Sequence, residues 1–225
     1  LTVDGTFTLG GALAAFFIVR DYNLWIALGL AFAGGCLAGA VTSAIHTRLK
    51  VPGLLAGILT MTMLYSVNIR IMGNRANVSL LNRDTLISDA GTLFGKFLPE
   101  GYGELLFVVL AAFAVKFLLD LYFRTDMGLT MRALGDNEQM IVSQGVNPRF
   151  MKLAGVALSN GLVAMSGALA AQYQGFADVN MGQGIIIIGL ASVMIGEQII
   201  RGRSIMALTL CALVGSVVYK GIMYF

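Results

Sequence analysis

Apolar residues run through this chain in long blocks separated by short polar breaks. Four blocks are long and clean: 24–45 (LWIALGLAFAGGCLAGAVTSAI), 105–123, 153–174 and 205–223. A membrane helix needs about 20 predominantly apolar residues, so each block predicts one crossing. Three further blocks, 7–19, 53–72 and 184–200, are shorter or interrupted, with Gly5, Gly53, Gly182 and Gly184 near their starts. Short apolar segments punctuated by glycine fit discontinuous or re-entrant helices lining a pathway. Tilted ordinary helices fit the same pattern. Small residues recur four apart at Gly35/Gly39, Gly53/Gly57 and Gly167/Ala171, a spacing that lets helix backbones approach closely in lipid. The predicted fold is all-α: a polytopic membrane helix bundle with short broken or re-entrant helices.

Composition agrees. Charged residues make up 12% of the 225 positions, about half the share typical of soluble domains. A net charge of +3, without a basic run, excludes a nucleic-acid surface. Cys36 and Cys211 sit inside apolar blocks and read as small packed residues. His46 is the single histidine, so no histidine-based metal site is available. No cleavable signal peptide is visible. The chain opens at Leu1 without a methionine and stops abruptly at Phe225, so flanking segments are expected to be missing.

Lysine and arginine placement predicts the orientation. If the segments alternate across the membrane, loops 46–52, 124–152 and 201–204 share one side. They carry Arg48, Lys50, Arg124, Arg132, Arg149, Lys152, Arg201 and Arg203. The opposite loops carry only Arg20, Arg75, Arg83 and Lys96. The first side is therefore expected to be cytoplasmic, and the long loop at 73–102 to face outward.

The polar break RALGDNEQMIVSQGV (132–146) is unusual because it keeps Met-Ile-Val at its centre. Asp136 followed by Gln139 predicts a capped helix over 137–144, Gly145 a stop, and Pro148 a bar to quick restarting. So short a helix is marginal alone in water. Met140, Ile141 and Val142 would form an exposed apolar patch that invites a protein partner. A loop folded back on its own bundle, or lying on lipid, would satisfy the same pattern.

The stretch RTDMGLTMRALGDNEQMIVSQGVNPRFMKLAGVALSNGLVAMSGALAAQYQGFADV strongly resembles permeases of ATP-binding-cassette importers of the branched-chain amino acid and ribose class. LTVDGTFTLGGALAAF, GLLAGILTMTMLYSVNIRIMG and IIIIGLASVMIGEQI also resemble segments of that family. The resemblance covers nearly the whole chain and is nearest the subgroup associated with aromatic amino acid or unassigned uptake in bacteria. It implies a single permease domain over 1–225, with a cytoplasmic coupling loop at 124–149 and an extracellular loop at 73–102. It implies an ATPase-coupling segment comprising Arg132, Gly135, Asp136, Asn137, Glu138, Met140, Ile141 and Gly145. The implied partners are a cytoplasmic ATP-binding subunit, an extracellular substrate-binding lipoprotein and a second permease copy. ATP and Mg would bind the partner subunit, leaving this chain without a cofactor and without enzymatic activity. The implied location is the bacterial inner membrane. The implied solute is an amino acid, with aromatic ones foremost; sugars and nucleosides stay open.

The residues themselves bear on the energy source. No G-x-x-x-x-G-K-[ST] phosphate cradle occurs, so the chain is not expected to hydrolyse ATP. Ionisable groups within the apolar blocks are few, whereas ion-coupled transporters use them as relays. Asp120 stands four residues from both Lys116 and Arg124 and reads as a structural clamp. Glu197 beside Arg201 and Arg203 reads as a surface pair, with a gate or ATPase contact as the alternative. Asp4 is expected either to cap a helix at 6–19 or to shape a pathway entrance. A stand-alone secondary transporter or channel is the competing class. An intramembrane enzyme fares worse, for want of a nucleophile–base pair or metal cluster. Polar residues inside apolar blocks are the pathway candidates: Thr6, Thr8, Thr60, Thr62, Tyr65, Asn68 and Asn160, with Met61 among them and Ser159 and Ser166 beyond. Such groups face the interior or a cavity, or else bond between helices.

Overall fold

The computed structural model describes residues 2–81, 83, 85–89, 102–200 and 204–224. The three long early helices are α1 (Thr2–Val19), α2 (Leu24–Arg48) and α3 (Gly53–Ile71). A short strand β1 (Asn77–Ser79) follows, then α4 (Tyr102–Phe123), α5 (Asp126–Asp136) and α6 (Glu138–Ser143). The chain continues through α7 (Pro148–Gln174), β2 (Phe176–Asp178), α8 (Ile185–Ile199) and α9 (Ile205–Tyr224). Helices α1, α2, α3, α4, α7 and α9 are each long and apolar enough to cross a membrane. The all-α polytopic bundle read from the sequence is therefore the observed fold. The 15 residues of α8 rise only about 22 Å, short of the roughly 30 Å hydrocarbon layer.

Two compact units divide the chain: Leu1–Val108 with Arg149–Gln183, and Val109–Pro148 with Gly184–Phe225. In the first unit α1 is the buried centre, with α2, α3 and β2 packed against it. Small residues make this possible. A Cβ on Gly10 would strike the Ala164 carbonyl, and one on Gly167 would strike the Phe7 carbonyl, so α1 and α7 meet backbone to backbone. Gly35 and Gly39 bring α2 against α7 at Asn160 and Val156 in the same way. These are the contacts the four-residue spacing predicts. Gly53 differs: it opens α3 after Pro52, and a Cβ there would make only ordinary contact, with the His46 ring at 3.8 Å.

Three connections meet at one end of this unit. Strands β1 and β2 pair antiparallel, Asn77 opposite Asp178 and Ser79 opposite Phe176. Arg83 bonds Asp21 at 2.8 Å, and the Leu86 amide donates to Gln172 Oε1 at 2.9 Å. The connections after α1, α3 and α7 thus share a face, as an alternating path requires. Residues 90–101 of the expected outer loop lie outside the described residues, as do Arg201 and Arg203, the expected partners of Glu197.

In the second unit α8 and α9 form an antiparallel pair. A Cβ on Gly196 would strike the Cys211 carbonyl, and one on Gly215 the Ser192 carbonyl. Cys36 and Cys211 are free thiols. Cys211 is buried with its Sγ 3.3 Å from the Ile200 carbonyl, the small packed residue the sequence predicts.

Gly35→Leu should destabilise the folded protein by about 1–3 kcal/mol, the usual cost of overpacking. Gly29→Leu, at a position with open space around it, should be neutral. Thermal unfolding in detergent, followed by size-exclusion fluorescence, checks both.

Candidate functional site

The pathway candidates divide into two groups. Thr8, Met61, Thr62, Tyr65 and Asn68 line one cavity of about 130 Å³ in the first unit, together with Asp4, Gly5, Val179 and Gln183. Thr6, Thr60 and Asn160 are buried but do not line it. They satisfy one another and the backbone instead. The Thr6 hydroxyl lies 3.0 Å from Asn160 Oδ1, and the Thr60 hydroxyl donates to the Ala56 carbonyl at 2.9 Å. Ser159 and Ser166 are exposed on α7, outside the cavity lining.

A re-entrant turn builds one wall. After β2 the chain makes tight turns, Met181 to Asp178 and Gln183 to Asn180. The Gly182 amide donates to Thr8 Oγ1 at 3.1 Å, and a Cβ on Gly182 would strike the Asp4 carbonyl. Thr8 stands 11 residues before the end of α1 at Val19, about 16 Å of helix. The segment therefore dips beside α1 before Gly184, with φ +83°, starts α8. Gly182 and Gly184 were the sequence signal for this wall. Val179 and Gln183 carried no signal of their own.

Asp4 corrects the sequence reading. Helix α1 already runs from Thr2, so Asp4 lies within its first turn and caps nothing at residue 6. Its side chain belongs to the cavity lining, and the residue is 7% exposed. With Asp120 it is one of two buried acids among the described residues, so such groups remain few. Asn68 Nδ2 donates to the Gly5 carbonyl at 3.3 Å, while its buried Oδ1 has no partner among the described residues.

The polar break folds as an elbow. Thr125 caps α5, and Asn137, not Asp136, caps α6 by accepting the Met140 amide at 3.1 Å. Asp136 instead ends α5, one residue earlier than the capping-box reading placed the boundary. At the far end the Val146 amide reaches the Ile141 carbonyl and the Gly145 amide the Val142 carbonyl. Gly145 sits at φ +83°, so this is a Schellman stop with glycine where the left-handed turn requires it. Pro148 does not delay the next helix: it is the first residue of α7, where proline's missing N–H costs nothing. The apolar trio also splits. Ile141 is 2% exposed, whereas Met140 and Val142 are 54% and 52% exposed. Arg132, Gly135, Asp136, Asn137 and Glu138 are exposed along the same elbow.

A second polar cluster lies in the other unit. Lys116 Nζ is 2.5 Å from Asp120 Oδ2, and Thr209 Oγ1 donates to Asp120 Oδ1 at 2.7 Å. The clamp read from spacing is thus present and ties α4 to α9. Arg124 turns elsewhere, its Nη2 lying 3.7 Å from Met206 Sδ.

Six helices long and apolar enough to cross a membrane define a multi-pass membrane protein. The chain belongs to the family described as branched-chain amino acid transport system permease component, whose model matches residues 1–225. It is 39% identical to a tyrosine transport system permease protein of Clostridioides difficile, over 100% of this chain and 72% of the relative. It is 27% identical to the ribose import permease protein RbsC of Escherichia coli, over 90% of this chain and 61% of the relative. An inner membrane ABC transporter permease protein, YjfF of Escherichia coli, is 25% identical over 82% of this chain and 55% of the relative. No solved structure matches the chain. The chain is therefore a permease component of an ABC-type transport system, a multi-pass protein of the inner membrane.

The ion pair permits a direct test of the packing in the second unit. Asp120→Ala strands the part-buried Lys116 charge and should cost about 1.5–3 kcal/mol, the range for hydrogen bonds to charged groups, whereas replacing both partners with methionine should recover most of it. Folded yield and thermal unfolding of the single and double variants check this.

Proposed function

We propose that this permease imports an amino acid, with aromatic amino acids foremost, delivered by an extracellular substrate-binding lipoprotein and driven by a separate cytoplasmic ATPase. Two permease copies would form the translocating unit, and ATP and Mg would bind only the partner subunits. The elbow of α5 and α6 would dock into the ATPase. The observation that carries this role is the split at its apolar centre. Ile141 anchors the elbow internally, which leaves Met140 and Val142 half exposed on a short, firmly capped helix. An adaptable methionine beside an apolar neighbour suits a protein groove.

The cavity lined by Thr8, Met61, Thr62, Tyr65 and Asn68 would lie on the pathway. Its volume approaches that of an engineered apolar cavity of about 150 Å³ that holds benzene, a size in keeping with an aromatic side chain. Alternating access would follow when ATP-driven closure of the partner draws the elbows together. The likeness to a ribose permease keeps sugar as the second reading. Energised uptake of labelled tyrosine, with ribose as the competing substrate, separates the two in vesicles carrying the whole transporter.

Met140→Asp combined with Val142→Asp should abolish ATPase co-purification and lower uptake at least about tenfold, with the permease still folded. Ile141→Asp should instead disrupt the elbow itself, because that side chain is buried. Pull-down of the ATPase, read against thermal unfolding of each variant, checks the distinction. Normal uptake by the double variant would remove the elbow from the coupling role.

A further inference from the structure

Helix α1 meets its neighbours on unequal terms. Against α7 it is locked: a Cβ on Gly10 would strike the Ala164 carbonyl, and one on Gly167 the Phe7 carbonyl. Against α3 there is more room. A Cβ on Gly5 would still find 3.1 Å to Leu64 Cδ1 and 3.2 Å to Met61 Cα. The cavity of about 130 Å³ is lined by Gly5 and Thr8 from α1 and by Met61, Thr62, Tyr65 and Asn68 from α3.

Hydrogen bonding is unequal in the same sense. Asn160 on α7 has both ends engaged, its Oδ1 3.0 Å from the Thr6 hydroxyl and its Nδ2 donating to the Val156 carbonyl at 2.8 Å. Asn68 on α3 has one end engaged. Its Nδ2 donates to the Gly5 carbonyl at 3.3 Å, beyond the usual range for such bonds. Its Oδ1 is buried with no partner among the described residues, and the residue is 1% exposed. A buried amide oxygen without a donor costs desolvation free energy that nothing returns. Beside free volume, that cost favours a second arrangement in which the oxygen is met. The connections of α3 can absorb such a change. Lys50 before it has φ +54°, and Gly73 and Asn74 after it have φ +71° and +57°. Hinges are commonly a few residues at the ends of elements.

We propose that α3 is the moving wall of the cavity. It turns against a fixed α1–α7 pair, and Asn68 is its latch: Oδ1 is orphaned in this arrangement and faces the contents of the cavity in the other. This rests on the alternating-access reading given above.

The test uses the complete transporter in vesicles. Gly5→Cys with Leu64→Cys would link α1 to α3, since a Cβ on Gly5 lies 3.3 Å from Leu64 Cβ. Gly11→Cys with Ala171→Cys would link α1 to α7 across a Cβ separation of 3.4 Å. Both lie close to the roughly 3.5–4.5 Å that a disulfide spans. Energised uptake of labelled tyrosine and ribose is measured for each pair oxidised and then reduced, with the cross-links identified by mass spectrometry. The unmodified transporter, oxidised in the same way, controls for Cys36 and Cys211. Oxidation barely changes side-chain volume, so a reversible effect reports restraint and not obstruction. Oxidising the α1–α3 pair should abolish uptake and reduction should restore it, whereas the α1–α7 pair should transport equally in both forms. Uptake that survives oxidation of the first pair, or is lost with both, would overturn the moving α3 and leave the transport reading in place. Failure of the unmodified transporter to accumulate either solute would overturn the transport reading, and this inference with it. Should either pair fail to fold or to cross-link, Asn68→Leu decides. Removing the orphaned oxygen should keep or raise the thermal unfolding midpoint, yet lower uptake at least about fivefold by removing the group the other arrangement satisfies. A lower midpoint, or unchanged uptake, would overturn the latch.

Discussion

Backbone-to-backbone contact between α1 and its neighbours is the constraint on which the first unit depends. Gly10 lies against the Ala164 carbonyl, Gly167 against the Phe7 carbonyl and Gly182 against the Asp4 carbonyl. Lipid offers no hydrophobic gain for bringing apolar helices together, so close packing and interhelical hydrogen bonds must hold them. Side chains larger than hydrogen at these positions would push α1 outward. The cavity would go with it, because Asp4, Gly5 and Thr8 reach the lining only through α1's tight seating. The Thr6–Asn160 bond at 3.0 Å works in the same direction, fixing the rotation of α1 against α7.

Two acids are buried among the described residues, Asp4 and Asp120. Burying a charge is unfavourable unless it is paired or put to use. Asp120 is matched by Lys116 one helical turn away and by the Thr209 hydroxyl on α9. Those partners account for it structurally, and the cluster joins two helices. Asp4 is among the residues lining the cavity.

The helices were legible because apolar block length reports the bilayer thickness directly. The Gly35/Gly39 and Gly167/Ala171 contacts were legible because close packing selects small residues at a fixed period. The boundaries near residue 137 were not. Asp136 and Asn137 are both good caps, and only the fold of α5 through Asp136 leaves Asn137 to accept the Met140 amide. Pro148 was misread because proline ends a helix interior yet begins a helix well. The burial of Ile141 between exposed Met140 and Val142 follows from the angle of the elbow, which three adjacent apolar letters do not encode. Val179 and Gln183 joined the cavity through the re-entrant turn, a tertiary arrangement for which Gly182 and Gly184 gave the only local sign.

A carboxylate inside the bundle reopens the question of what drives transport. A proton-coupled carrier needs a succession of groups that exchange a proton across the barrier. The cavity lining supplies no second carboxylate, histidine or amine beside Asp4. The other buried acid among the described residues, Asp120, is held by Lys116, and protonating it would strand the lysine charge. A single acid in the lining does not by itself couple occupancy to a gradient. Membership of an ABC-type permease family requires no such relay, and under the proposed coupling role the elbow is where work would enter.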